Sequence, residues 1–274
     1  MTPYPNLISQ SLLISDTIDL LRSFGGSASA VNIVDLVMKI SKPEPKLARL
    51  LVSDLVERDP RLQLHDDIVE LLDDRFSSRS IAETAFVVFD LETTGAKSPP
   101  YCSVTEVGAY KVKGGAIIDE FVTLVDPEMP IPAFITALTG ISDDMVSTAP
   151  KLSKVIPAFL DFIGDAVLVA HNAHFDMQFL NHGIGLIYED YRLLNPCLCT
   201  VHLCRKLLPH IDNHKLKTVA EYYSVSLENH HRAGPDAKAT AQIFLNLLNE
   251  LEMGGFRDIA AIKSLGPRKG VYVG

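Results

Sequence analysis

Five side chains in this sequence, four carboxylates and one imidazole, have the types and spacing for hydrolytic chemistry. Asp90 and Glu92 lie two apart in FDLETTG (residues 89–95), so on an extended backbone both project from one face. Carboxylates that close resist ionisation unless a cation sits between them, and hard oxygen donors of this kind suit Mg²⁺ or Mn²⁺. A bare D-x-E is most simply a pair of solvated acids, but here an apolar run precedes it and Thr-Thr-Gly follows it. Asp176, in AHNAHFDMQFL (residues 170–180), falls in the first turns of a helix entered from a strand end, where the helix dipole favours a carboxylate. His171 and His174 beside it have no third His or Cys at a suitable spacing, so packing or supporting roles are expected for them. In HRAGPDA (residues 231–237), Gly-Pro marks a helix start and puts Asp236 in its first turn. His231 lies five residues earlier on the loop leading in, and a metal-held water needs such a pairing of ligand and proton acceptor.

The elements that must hold these residues read as an α/β arrangement. Residues 85–89 form a continuous apolar run of strand length, suited to a central strand. Strands over 104–112 and 116–125 around Gly114-Gly115 complete a meander, and a further strand covers 166–170. Helical patterns occupy 151–163, 173–181, 200–208, 216–223 and 235–251. Leading strands followed by strand–helix alternation indicate a mixed sheet.

Together the three acidic segments resemble the DEDDh group of 3′–5′ exonucleases, the family of the bacterial DNA polymerase III proofreading subunit. Asp90 and Glu92 match its first motif, Asp176 its second, and His231 with Asp236 its third. Residues 131–146 resemble the loop of the exonuclease insert in Gram-positive replicative polymerases. Where some members carry a substrate-touching Glu and His, this chain has Phe134 and Thr139. The resemblance spans about 85–251 and implies a ribonuclease H-like fold, with a mixed five-stranded sheet flanked by helices. It implies two divalent cations, Mg²⁺ or Mn²⁺, on Asp90, Glu92, Asp176 and Asp236, which clamp the attacking and leaving oxygens of a phosphodiester. His231 would take a proton from the attacking water, and Leu91, Thr93 and Thr94 would line the pocket for the terminal nucleotide. A frayed, single-stranded 3′ end suits such a pocket.

Residues 9–72 have a different texture. Helical patterns cover 9–24, 28–40 and 44–58, and a hairpin is expected over 61–72 with its turn at Asp66-Asp67. Three helices and a two-stranded wing describe a winged-helix-like module. Over residues 1–82, 9 basic side chains face 12 acidic ones, so protein docking or packing is favoured over sequence-specific duplex binding. The expected division is 1–75 for this domain, 76–84 for a linker, 85–252 for the exonuclease domain and 253–274 for a tail. Pro267 to Tyr272 resembles the opening of a GIY-YIG nuclease domain, so the tail is either the start of a further domain or disordered.

Cys197, Cys199 and Cys204 lack paired C-x2-C knuckles, so packed thiols are expected rather than zinc. Asp143-Asp144 reads as solvated turn residues, and Glu106 as support for the acidic site. Hydrophobic residues make up 47% and charged residues 22%, ordinary for a globular chain. No apolar run approaches ~18 residues, the N-terminus has no signal-peptide pattern, and four cysteines fit a reducing cytoplasm. A net charge of -9 argues against a broad basic surface, although cations on the carboxylates would reverse the sign locally. The expectation is a metal-dependent exonuclease on DNA 3′ ends, releasing nucleoside 5′-monophosphates, with a polymerase or repair partner and no membrane. The alternatives are an RNA-directed exonuclease of the same family and a non-catalytic adaptor that keeps the fold.

Overall fold

The computed structural model describes residues 3–72, 76–266 and 272–273, the last two as backbone. The chain forms two compact units. One comprises Met1–Arg75 with Tyr188–Leu194, and the other Phe76–Ile187 with Asn195–Gly274.

The smaller unit opens with strand β1 (Leu7–Ser9) and helix α1 (Leu12–Ser23), whose Ile14, Thr17, Ile18 and Leu21 share one buried face. Gly26, at φ 104°, turns the chain and returns its N–H to the Leu21 carbonyl at 2.8 Å. Strand β2 (Ser27–Ser29) follows, and the Ser29 hydroxyl caps helix α2 (Ala30–Leu36) by accepting from the Asn32 N–H. Helix α3 (Pro45–Val56) begins with proline at its first position and the Glu44 carboxylate on the Leu47 N–H. It buries Ala48, Val52 and Leu55 against Ile14, Ile18, Leu21 and Ile33. Strands β3 (Leu62–His65) and β4 (Ile68–Leu71) make the expected hairpin, with Asp66 in the left-handed region at its turn.

Three features of this unit depart from the sequence reading. The sheet has three strands in the order β2-β4-β3, because Ser27–Ser29 pairs with β4 instead of starting the second helix. That helix also stops at Leu36 rather than Ile40, and Lys39 takes a left-handed φ of 59°. Ser9 belongs to a strand, and β1 pairs antiparallel with Tyr191–Leu193.

The larger unit is built on strand β5 (Phe86–Thr93), flanked by strand β6 (Val104–Lys113) and then strand β7 (Ala116–Leu124), both antiparallel. Helices α4 (Ala133–Thr139) and α5 (Asp143–Val146) occupy the stretch after the meander, and helix α6 (Leu152–Ile163) leads to strand β8 (Val167–Ala170), parallel to β5. Helix α7 (His174–Ile187) runs beyond the expected end at Asn181. Strand β9 (Tyr191–Leu193), the partner of β1, belongs to the smaller unit, and strand β10 (Pro196–Cys199) resumes the larger one, parallel to β8. Helices α8 (Thr200–Leu207), α9 (Leu216–Tyr222), α10 (Ala233–Met253) and α11 (Ile259–Ser264) complete the unit. The mixed sheet runs β10-β8-β5-β6-β7, five strands as the resemblance implies although β10 was not read from the sequence, and strand β11 (Tyr272–Val273) adds a short sixth beside β10. Phe86 is buried with its ring edge on Phe244 of α10, centroids 5.0 Å apart, and such a side chain contributes about 2–3 kcal/mol.

The stretches expected as linker and tail pack on each other within this unit. Phe76 and Ile81 are buried, and Ile81 donates its N–H to the Arg257 carbonyl. Ile259 and Ala260 donate theirs to the carbonyls of Arg79 and Ser77. Residues 76–84 and 257–260 therefore satisfy each other's backbone polar groups, which a solvated linker would leave to water. Residues 267–271 lie outside the described residues, and with them most of the GIY-YIG-like phrase.

Candidate active site

β5 is longer than the apolar run suggested, so Asp90 and Glu92 sit on the strand itself, half-buried on one face. A bulge at Glu92/Thr93 closes the pairing with β6 just beyond them. Because β8 runs parallel beside β5, its far end lies at the same edge of the sheet. There the chain turns through Asn172, at φ 69°, into α7, and Asp176 becomes buried in the first turn. Its Oδ1 accepts the main-chain N–H of Leu91 at 3.2 Å, which ties the second motif to the first.

The third motif is delivered by the start of α10. Across the sheet Asp90 pairs with Gly108, and Gly108 with Val122. A Cβ on Gly108 would lie 2.3 Å from the Ala233 carbonyl carbon and oxygen, so only glycine lets α10 approach β6 here. A Cβ on Gly234 would meet Val122 Cγ1 at 3.1 Å. The same junction is held by Glu106, only 2% exposed. Its carboxylate accepts from Arg232 Nη2 at 2.7 Å, from Arg232 Nε at 3.0 Å and from the Ala233 N–H at 2.8 Å. Asp236, buried in the first turn, then joins Asp90 and Glu92, and carboxylate oxygens of these three lie within 4.8 Å of one another. Asp176 is outside that triple, held at Leu91, yet close enough to raise the Asp90 pKa.

The electrostatics follow from this crowding. Burial first, then Asp176, Glu92 and Asp236, hold the Asp90 carboxyl well above the usual carboxylate range. Burial and then Asp236 and Glu106 push Glu92 up to about 8, with Arg232 opposing. Burial takes Asp176 up to about 7, against the pull of its own and Leu91's backbone N–H groups. Glu92 and Glu106 face each other across the strands, an arrangement that destabilises unless each finds a positive partner. Arg232 serves Glu106, and Glu92, Asp90 and Asp236 together offer oxygens to a cation. The donor set is all hard oxygen and fits a divalent ion.

His231, half-buried with a left-handed φ of 71°, donates its backbone N–H to Asp236 Oδ2 at 3.0 Å. Burial and the neighbouring His230 lower its pKa, with Asp236 opposing. Leu91, Thr93 and Thr94, expected to line a nucleotide pocket, are buried. The Thr93 hydroxyl donates to the Gly95 carbonyl at 2.7 Å, and Thr94 Oγ1 accepts from the Ser103 N–H at 3.1 Å. Both hydroxyls thus shape the turn after β5.

His171 and His174 have non-metal partners, Thr200 Oγ1 at 2.9 Å and Gln178 Nε2 at 2.7 Å. Cys197, Cys199 and Cys204 are buried free thiols, and burial raises Cys197 and takes Cys204 up to about 12. The sequence reading missed Arg232, Gly108 and His230. The cross-strand pairing of two glutamates was a signal for the first, and the adjacent histidines were a signal for the last.

A family profile described as "Exonuclease" (RNase_T) matches residues 87–244, more than half the chain. The chain belongs to this exonuclease family. Its three acidic motifs resemble those of the DEDDh 3′–5′ exonucleases, hydrolases of phosphodiester bonds. It is 45% identical over 191 residues to the DNA polymerase III PolC-type of Caldanaerobacter subterraneus subsp. tengcongensis, covering 69% of this chain. It is 44% identical over 179 residues to that of Bacillus subtilis, covering 65% of this chain. The chain spans only 13% and 12% of those two relatives' lengths. Among solved structures, exonuclease X in complex with 5′ overhanging duplex DNA superposes with a TM-score of 0.54 at 25% identity, covering 66% of this chain and 99% of that one. The nuclease domain of 3′hExo, a DEDDh family member bound to rAMP, shares the fold with a TM-score of 0.53 at 18% identity. That match covers 63% of this chain and 95% of that one.

Proposed function

We propose that the protein is a divalent-metal-dependent 3′–5′ exonuclease that removes nucleotides from single-stranded or frayed DNA 3′ ends as 5′-monophosphates. The observation that carries this reading is the convergence of Asp90, Glu92 and Asp236 within 4.8 Å, with His231 on the loop beside them. These three and Asp176 would hold two cations, Mg²⁺ or Mn²⁺, which when bound supply Lewis acidity at the scissile phosphate. His231 accepts the proton of the attacking water, and its lowered pKa keeps the imidazole unprotonated and able to do so near neutral pH. Glu106 and Arg232 hold the start of α10, so that Asp236 and His231 keep their place relative to β5. Leu91 positions Asp176 through its backbone, and Thr93 and Thr94 shape the rim that a terminal nucleotide would meet.

DNA as substrate, and a replication setting with a polymerase or repair partner, are supported by the PolC-type relatives and by exonuclease X with its DNA. The smaller unit runs helix, strand, helix, helix, hairpin, the order of a winged-helix module, and we assign it a positioning role on a protein partner or on DNA. Two basic residues of α3 and its end are already engaged, Arg49 with Asp67 and Arg58 with Asp54, which favours the protein. Among the described residues no helix is long and apolar enough to cross a membrane. We assign a cytoplasmic site of action.

A 5′-labelled single-stranded DNA oligonucleotide, with Mg²⁺ or Mn²⁺, tests the reading. The expected result is a ladder shortening from the 3′ end that disappears with EDTA, in Asp90→Ala and in His231→Ala. A ladder on RNA alone would replace DNA by RNA as substrate. No ladder on either, from folded protein, would leave a non-catalytic scaffold.

A further inference from the structure

His230 has no role in the chemistry above, yet its side chain contacts Asp236 directly. Its Nδ1 lies 3.0 Å from both oxygens of Asp236. A carboxylate only accepts, so Nδ1 carries the hydrogen, and an atom equidistant from both oxygens faces the open side of the group. The His231 backbone N–H takes a further position on Oδ2. A carboxylate offers about four lone-pair directions, so these two donors leave essentially one, on Oδ1, for anything else. The same carboxylate is the one that closes on Asp90 and Glu92. Its side chain is 6% exposed, whereas that of His230 is 37% exposed, so the imidazole is the partner able to swing away. The His230 ring also stacks on His231, centroids 3.9 Å apart and planes 25° from parallel.

We propose that His230 is a positioning residue that covers the open side of Asp236 and must withdraw when a divalent cation takes that side. His230 therefore weakens cation binding at Asp236. Through the stacked rings, its withdrawal also releases His231, so cation loading and placement of the proton acceptor are one event. This inference rests on the metal-dependent reading above.

The test is a Mn²⁺ titration of the full chain, with free Mn²⁺ followed by electron paramagnetic resonance and no substrate present. A hydrogen bond to a charged group, once removed as a competitor, should tighten binding by about tenfold in His230→Ala. His230→Phe keeps an aromatic ring against His231 but has no donor, and should tighten binding equally. His230→Asn returns an N–H near the place of Nδ1 and should lie close to wild type. Melting in EDTA identifies any variant that fails to fold, and the remaining two then decide. Equal affinity in wild type and in the folded Ala or Phe variant overturns the inference alone. Weaker binding in that variant also overturns it, and makes His230 a ligand together with His231 and Asp236. No Mn²⁺ binding by wild type overturns the metal-dependent reading, and this inference with it.

Discussion

Arg232 holds Glu106 through two nitrogens, at 2.7 and 3.0 Å, across 126 positions of sequence. Neither residue belongs to the carboxylate triple, yet the pair fixes where α10 begins and so where Asp236 and His231 stand. Arg232→Ala would leave Glu106 buried without its ionic partner, at a cost of roughly 3 kcal/mol. Activity should fall by about a hundredfold as the third motif shifts. Urea unfolding and the oligonucleotide ladder measure the two effects. Wild-type stability in this variant would show that the pair is not what seats the helix.

Gly108→Ala puts a methyl group 2.3 Å from the Ala233 main chain, which cannot rotate aside as a side chain would. The start of α10 must move, costing about 3 kcal/mol and most of the activity. Gly185→Ala, in α7 with nothing within 4 Å of the new Cβ, should be neutral or stabilise by about 0.5–1 kcal/mol. Melting temperatures of both variants, measured together, separate a specific close approach from a general intolerance of glycine replacement.

Without cations, the raised carboxyls make stability depend on pH in a direction opposite to that of ion-paired acids. Glu92 at about 8 and Asp176 at about 7 both lie above their unfolded values near 4. Between those limits the folded state binds more protons, so stability falls as pH rises. EDTA-treated protein should melt lower at pH 8.5 than at pH 6. The rise in melting temperature on adding Mg²⁺ or Mn²⁺ should be larger at pH 8.5, where protons no longer compete. A cation effect equal at both values would contradict this.

His171 works in the other direction. Burial lowers its pKa to about 4, below the unfolded value near 6.5, so its contribution is intact above 6.5 and lost as pH falls towards 4. The loss is about 3–4 kcal/mol at most. In Mg²⁺, His171→Gln should lose less stability than wild type between pH 7.5 and pH 5, as read by thermal unfolding at each value. Parallel losses would place the acid sensitivity elsewhere.

What could be read from the sequence is what depends on local spacing. Strand alternation put Asp90 and Glu92 on one face, and Gly-Pro put Asp236 in a first helical turn. The long helices were visible because their apolar stripes repeat within a few residues. What escaped depends on partners far away. Ser27–Ser29 is too short and polar to announce a strand, and only β4 makes it one. Leu7–Ser9 pairs with residues more than 180 positions later. Pro196–Cys199 reads as part of a cysteine-rich approach to a helix until β8 lies alongside it. The packing of residues 76–84 on 257–260 has the same origin, since each segment alone looks like loop.

The pairing of β1 with β9 also sets an order of events during synthesis. Leu7–Ser9 is made well before its partner Tyr191–Leu193, which follows only after β5, β6, β7 and β8. At roughly 5–20 residues per second, the opening strand waits on the order of 10–40 s with its backbone groups unpaired. The smaller unit is therefore completed only after most of the nuclease sheet exists. A nascent chain stalled before residue 191 would carry an unfinished N-terminal unit, exposed to chaperones and proteases.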